Sequence, residues 1–204
     1  PAGSAEQTMG RVLREDLRAH RDEILITTKA GYYMWPGPYG EWGSKKNLTA
    51  SLDQSLRRLG VEYVDIYYHH RPDANTPLEE TAEALVQAVR QGKALYVGVS
   101  NYALEAIRRM SEILAERGVR LLASQARYSM LNRVFEDGER DVLKQLGIGA
   151  VAFCPLAEGI LTGKYLNGIP QDSRAAGKSI FLNTDTVERY LPVARALNEI
   201  AQAR

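Results

Sequence analysis

Five short apolar segments, separated by helical patterns that stop at glycine, constrain this chain more than any other feature. They span residues 24–29, 64–70, 95–100, 121–128 and 149–154. Each is short and rich in β-branched or aromatic residues. The first, Ile24-Leu25-Ile26-Thr27-Thr28-Lys29, is nearly continuous, as a strand covered on both faces would be. Between them, apolar residues recur at helical spacing. Leu48, Leu52, Leu56 and Leu59 form one stripe, stopped at Gly60. Leu78, Ala82, Leu85, Val86 and Val89 form a second, opened by Thr76-Pro77 with proline expected in the first turn and stopped at Gly92. A third holds Leu104, Ile107, Ile113 and Leu114 before Gly118, and a fourth holds Val142, Leu143 and Leu146 before Gly147.

Helices are also expected at both ends. Ser4-Ala5-Glu6-Gln7 reads as a capping box ahead of Met9, Val12, Leu13 and Leu17. The last helix begins near Thr186, with Val187, Tyr190, Leu191, Ala194, Leu197 and Ile200 as its inner face. Strand ends repeat at intervals of roughly 30 residues, the size of a β-α unit, which predicts parallel strands joined by right-handed helical crossovers. A doubly wound sheet and a (β/α)8 barrel both meet that pattern, and both put chemistry at the C-terminal ends of the strands. Five strands do not close an eight-stranded barrel, so a barrel needs strands beyond these residues.

Composition narrows the function classes. The 204 residues carry 26 Lys and Arg against 25 Asp and Glu, a net charge of +1, which argues against a dedicated nucleic-acid binder. One domain over residues 1–204 is expected at this length. No apolar run approaches the roughly 18 residues of a membrane span. The opening PAGSAEQTMGRVLRE is polar, with no signal-peptide core. A lone cysteine, Cys154, excludes an internal disulfide and suits a reducing, cytoplasmic compartment. Three histidines, only His69 and His70 adjacent, argue against a His/Cys zinc site, and no metal is expected.

Candidate chemistry sits where the strands end. Lys29, His70, Ser100-Asn101, Gln125 and Phe153 occupy those positions. In a parallel array they share one side of the sheet and can converge. By themselves they leave open both a site and ordinary strand-end polarity. His69 and His70 point to opposite faces of a strand, so only one can line a site. The stretch Ala30–Ser44, with Pro36, Pro38, four glycines and Tyr32, Tyr33, Trp35, Tyr39 and Trp42, is a long irregular loop of the kind that is usually functional. No Gly-x-Gly-x-x-Gly follows a strand. Gly159 to Lys164 is one residue short of a P-loop, and Tyr165 stands where Ser or Thr would hold Mg²⁺, so that reading is rejected. Lys164 and Arg174 near a glycine-rich turn still suit a phosphate. Gly98-Val99-Ser100-Asn101-Tyr102 lacks the second glycine of a nucleophile elbow.

Taken together, Thr28-Lys29, Tyr63 to Arg71, Gly98 to Asn101, Gln125 with Tyr128, and Phe153 to Gly159 with Leu161 to Tyr165 resemble the aldo-keto reductase superfamily in order and position. Trp35 to Gly40 and Gly168 to Arg174 most resemble its bacterial branch of L-glyceraldehyde 3-phosphate reductases, to which potassium-channel β-subunits are related. The resemblance implies an α/β fold, the (β/α)8 TIM barrel, of which this chain would hold about five central units with the N- and C-terminal parts missing. It implies NADPH (NADP+) as cofactor, small aldehydes or ketones as substrates, and a Tyr, Lys, His, Asp tetrad. Lys29 and His70 would be two of the four. The tetrad's Asp and Tyr normally precede the helix that opens near Ser4, so the chain would begin just after them.

The resemblance further implies that Ser100, Asn101 and Gln125 hold the nicotinamide carboxamide and that Phe153 stacks on its ring. Cys154, Pro155, Leu156, Ala157 and Glu158 would follow the pyrophosphate, with Lys164 and Arg174 as phosphate partners. Trp35 and Arg71 are candidate substrate contacts, Arg71 toward a substrate phosphate. No nucleic-acid or membrane partner is implied, and a homo-oligomer stays open. Two other readings stand beside the reductase: a nicotinamide-binding regulatory subunit, whose relatives usually carry Asn at the position of His70, and an inactive barrel fragment.

Overall fold

Strands β1 (Thr27–Ala30), β2 (Val64–His69), β3 (Ala94–Ser100), β4 (Leu121–Arg127) and β5 (Gly149–Phe153) lie in one sheet in the order β1-β2-β3-β4-β5. β1 to β4 pair in parallel, with Lys29 beside Tyr68, His69 beside Val99 and Ser100 beside Gln125. Helices α1 (Ser4–Glu15), α2 (Lys45–Leu59), α3 (Leu78–Arg90), α4 (Leu104–Glu116), α5 (Glu139–Leu146) and α6 (Thr184–Gln202) alternate with them. The strand order decides between the two architectures left open by periodicity. A doubly wound sheet reverses direction at a switch point, whereas here every strand lies beside its sequence neighbour, the winding of a (β/α)8 barrel.

The computed structural model describes residues 3–177, 179 and 181–204. They fall into two compact units. The first comprises the residues up to Ala126 with Gly138–Val151, and the second Arg127–Asp137 with Ala152–Arg204.

In the first unit the core lies between sheet and helices. Leu48, Leu52 and Leu59 of α2, Leu85 and Val86 of α3, and Ile107 and Met110 of α4 are almost completely buried, as are Val64, Val97 and Val99 of the strands. α2 is capped at both ends as the sequence predicts. Ser44 accepts from the Asn47 amide at 3.2 Å, and Gly60 takes the left-handed conformation with φ 68°. Pro77 sits at the N-cap of α3 rather than inside its first turn. The capping box at Ser4 does not form. Gly3 is the N-cap. Within α1 the Glu6 carboxylate reaches across the fold, accepting from Thr28 Oγ1 at 2.6 Å and Arg58 Nη1 at 2.9 Å. β1 starts three residues later than the apolar run suggests because Asp65 intervenes: its Oδ2 accepts the Ile26 N–H at 2.7 Å.

Two glycines are demanded by close approach. A Cβ at Gly10 would lie 2.3 Å from the Arg58 carbonyl oxygen, where α1 meets α2. A Cβ at Gly98 would lie 2.3 Å from the Tyr68 ring, so glycine on β3 lets that ring lie flat across the sheet.

The second unit has its own apolar cluster. Ala157, Ile160, Tyr165, Ala175 and Leu182 are buried with Val187 and Ala194 of α6. The predicted inner face of α6 is correct at Val187 and Ala194, while Ile200 is exposed. Asn183 caps α6 by accepting from the Thr186 amide at 2.8 Å.

Candidate active site

Lys29 and His70 line one cavity of about 240 Å³ in the first unit, together with Tyr32, Met34 and Glu6. Their placement follows from the strand register. Lys29 pairs with Tyr68, and His70 is the first residue past β2. Residues alternate across a strand, so Tyr68 and His70 share a face. Tyr68 lies under Lys29: it is 2% exposed, and Lys29 Nζ lies 5.5 Å from its ring centroid. Burial raises the Tyr68 phenol above its ordinary pKa, so it stays protonated.

The backbone of His70 is tied on both sides. Its N–H donates to the Ala30 carbonyl at 2.8 Å, and its carbonyl accepts from Asn101 Nδ2 at 3.0 Å. Asn101 does this from the left-handed region, φ 57°, which asparagine tolerates better than most residues. The Tyr32 ring meets the His70 ring edge-on at 4.5 Å. Burial lowers the Lys29 pKa. Burial first, then the positive charges of Lys29 and Arg71, depress His70 to about 4. Near neutral pH the imidazole is therefore uncharged and offers one N–H donor and one acceptor.

His69 turns the other way, as alternation predicts. It is 1% exposed, and its Nδ1 lies 2.6 Å from the Tyr102 hydroxyl. Its Nε2 is buried without a partner, and Gly43 is needed beside it, since a Cβ there would come within 3.0 Å of the ring. Burial is the main cause that depresses His69 to about 4 as well.

These two histidines make stability pH-dependent. Unfolded, each takes up a proton near pH 6.5; folded, neither does until about pH 4. Their neutral forms therefore support the fold fully above pH 6.5, and that support is lost as pH falls toward 4. Urea unfolding at pH 7 and pH 4.5 should show a loss of roughly 2 kcal/mol from His69 alone. His69→Asn should remove that part of the slope.

The remaining predicted site residues divide between the units. In the first, Ser100 Oγ donates to the Gln125 carbonyl at 2.8 Å, and Asn101 Nδ2 also donates to Ser100 Oγ at 3.0 Å. This network locks the ends of β3 and β4 and leaves the Gln125 carboxamide outside it. Trp35 lies in the 31–44 loop, which Tyr39 and Thr81 anchor. Asn47 Nδ2 donates to the Tyr39 carbonyl at 2.7 Å, and Thr81 Oγ1 to the Gly43 carbonyl at 2.9 Å. Arg71 does not stand open. Its guanidinium is held by Glu41 and lies about 4 Å from the ring centroids of both Tyr32 and Trp42.

In the second unit, Phe153 is half-buried and Pro155 and Leu156 are exposed, as are Lys164 and Arg174. Cys154, Ala157 and Glu158 have positive φ of 55°, 47° and 61°, a run of left-handed backbone unusual for residues other than glycine. Glu158 Oε1 pairs with Arg127 at 3.0 Å, while its Oε2 is buried without a partner. Tyr32 and Trp42 were named from sequence only as aromatics of the loop, and Glu41 and Tyr102 were given no role. The density of aromatics in the loop preceding an Arg was the available signal. Among the described residues no group of three or more His, Cys, Asp or Glu side chains is placed to hold a metal. No helix among them is long and apolar enough to cross a membrane.

Comparison with known proteins bears on this arrangement. The model of the aldo/keto reductase family matches residues 1–204. L-glyceraldehyde 3-phosphate reductase of Escherichia coli K12 is 57% identical over the whole chain, which covers 60% of that relative. Two proteins named probable voltage-gated potassium channel subunit beta, from Oryza sativa and Arabidopsis thaliana, are 36% and 38% identical over 98% of the chain, covering 62% of each. The chain thus spans about 60% of the length of the curated relatives it matches. With the matched family model, the sequential parallel winding and the shared Lys29–His70 cavity all in agreement, this chain belongs to the aldo/keto reductase family.

Proposed function

We propose that this chain carries the reducing site of an NADPH-dependent oxidoreductase acting on small aldehydes, glyceraldehyde 3-phosphate and methylglyoxal among them. The observation that carries the reading is the shared cavity of Lys29 and His70, with both side chains desolvated and His70 neutral near pH 7. The name of the 57% identical relative supports the substrate class.

The residues present fit a nicotinamide cofactor. The Gln125 carboxamide lies at the strand ends outside the Ser100–Asn101 network, and can exchange paired hydrogen bonds with another carboxamide. In the second unit, the positive φ of Cys154, Ala157 and Glu158 marks a strained loop of the kind found at ligand sites. Within the first unit, Ser100, Asn101 and Gln125 would hold the nicotinamide carboxamide. Within the second, Phe153 would stack on a nicotinamide ring, Cys154, Pro155, Leu156, Ala157 and Glu158 would follow a pyrophosphate, and Lys164 and Arg174 would meet phosphates. When bound, the cofactor supplies the hydride.

Reduction builds negative charge on the carbonyl oxygen, and this chain's residues answer it. His70 donates its ring N–H to that oxygen and fixes its direction. Lys29 supplies positive charge in a partly dehydrated cavity, and would favour the ionised form of the tetrad tyrosine, which the family resemblance places ahead of Ser4 and which would give the carbonyl oxygen its proton. Trp35 lies on the loop that would meet the aldehyde.

The test is a titration of the protein with NADPH and with NADH, followed by nicotinamide fluorescence, and then addition of glyceraldehyde 3-phosphate. Saturable NADPH binding and oxidation on adding the aldehyde are expected. Binding with no oxidation of either cofactor would favour a regulatory nicotinamide-binding role, the reading that the relatives named channel subunits suggest. Absence of binding would overturn both.

A further inference from the structure

The feature the proposed chemistry does not use is the stack formed by Trp42, Arg71 and Tyr32 against His70. The Arg71 guanidinium carbon lies 3.9 Å from the Trp42 ring centroid and 4.1 Å from the Tyr32 ring centroid. In its plane, Nε donates to the Gly31 carbonyl at 3.3 Å and Nη2 binds the Glu41 carboxylate. Tyr32 then continues the column to the His70 ring at 4.5 Å. Two of these contacts close the loop on itself, because Gly31, Tyr32, Glu41 and Trp42 belong to its two ends. The Trp42 N–H also donates to the Gly31 carbonyl at 3.3 Å, and the Met34 N–H to the Gly40 carbonyl at 2.9 Å.

Trp42 has φ 72°. A bulky side chain in the left-handed region is strained, and such strain persists only where surrounding contacts hold it. Here the stack on Arg71 holds it. The Arg71 cation is met by two aromatic rings and neutralised by Glu41. A substrate phosphate would have to displace the Glu41 carboxylate and would be repelled by it.

We propose that Arg71 is a positioning residue: it clasps the two ends of the 31–44 loop and, through Tyr32, sets the His70 imidazole, instead of receiving the substrate's phosphate. This rests on the reading of the Lys29–His70 cavity as a reducing site, and it replaces the substrate contact expected for Arg71 from sequence. Arg and Lys are not equivalent here, because only a flat guanidinium stacks on two rings while bonding in its plane.

The experiment compares glyceraldehyde 3-phosphate with unphosphorylated glyceraldehyde in Arg71→Met, Arg71→Lys, Trp42→Ala and Trp42→Phe. A clasp predicts that Arg71→Met lowers kcat for both aldehydes by the same factor, about 10- to 10²-fold. Arg71→Lys should not restore it, Trp42→Ala should reproduce the loss, and Trp42→Phe, which keeps a ring on the guanidinium, should largely escape it. A rise in KM for the phosphorylated aldehyde alone, with kcat kept, would overturn the proposal in favour of a phosphate receptor. Should Arg71→Met fail to fold, the Trp42→Ala and Trp42→Phe pair decides: equal kcat in the two would overturn the clasp. A second readout needs no turnover. The chain has two tryptophans, so Trp35→Phe leaves Trp42 as its reporter. Adding Arg71→Met should shift Trp42 emission and raise its quenching by acrylamide. Unchanged emission and quenching would overturn the clasp even if the protein reduced neither aldehyde, an outcome that would refute the reducing-site reading separately.

Discussion

Lys29→Met should lower aldehyde-reducing turnover by about 10²–10⁴-fold, the range that a positioned proton-transfer system contributes, while NADPH affinity changes little. Methionine keeps the length and most of the apolar stem of lysine but removes the ammonium. The loss therefore isolates charge. Lys29 stands over the face of Tyr68 in a cavity where burial already lowers its pKa, so its charge acts with little screening on whatever ionises beside it. His70→Ala should also reduce turnover, by removing the donor that orients the carbonyl. The two variants differ in pH behaviour. His70 is neutral down to about pH 4, so its loss should not remove a titration between pH 5 and 8. Single-turnover and steady-state rates across pH check both statements. Wild-type turnover in Lys29→Met would remove the ammonium from the chemistry.

The second large effect lies at the opposite ends of the strands. Asp65→Ala should destabilise the protein by about 3–5 kcal/mol, because it leaves a largely buried cation uncompensated. Asp65 Oδ2 lies 3.0 Å from Arg21 Nη1 and accepts the Ile26 N–H at 2.7 Å, with the two side chains 8% and 19% exposed. Arg21 is also fixed by the carbonyls of Ile24 at 3.2 Å and Tyr63 at 3.1 Å, and its guanidinium lies 4.2 Å from the Tyr63 ring centroid. It therefore cannot swing into solvent when its partner is removed. The contrast is Lys93–Asp53, also a close pair at 2.7 Å but with both side chains about a third exposed. Asp53→Ala should cost no more than about 1 kcal/mol. Denaturant midpoints of the two variants, measured at one pH, make the comparison. Equal losses would show that Arg21 finds water or another partner when Asp65 is gone.

Much of the first unit was legible because its signals are local. The leucine stripe of α2 and its stop at Gly60, the apolar run of β2, and the alternation that sends His69 and His70 to opposite faces all follow from backbone geometry within a few residues. The strand-end set Lys29, His70, Ser100, Asn101 and Gln125 was legible for the same reason, since parallel strands bring their C-terminal ends to one side. Local signals failed where a distant group outbid a near one. Asp65 takes the Ile26 N–H ahead of β1.

The surroundings of Arg71 are likewise set at long range. From sequence, an arginine next to a site histidine reads as a ligand for anionic substrate. Its neighbours in space, Tyr32, Glu41 and Trp42, lie 29 to 39 positions earlier in the chain. Their stacking exists only once the 31–44 loop has turned back on itself.

Sequence by itself determined the repeating β-α units, the parallel sense of the strands and the residues at their C-terminal ends, because periodicity and glycine stops act through neighbouring backbone. The tertiary structure alone decided that the strands run in sequential order, that His69 pairs with Tyr102, and that Arg71 is engaged by its own loop. Those outcomes depend on which polar and aromatic groups meet across long stretches of chain, and on the free energy of satisfying each buried one, which no local pattern encodes.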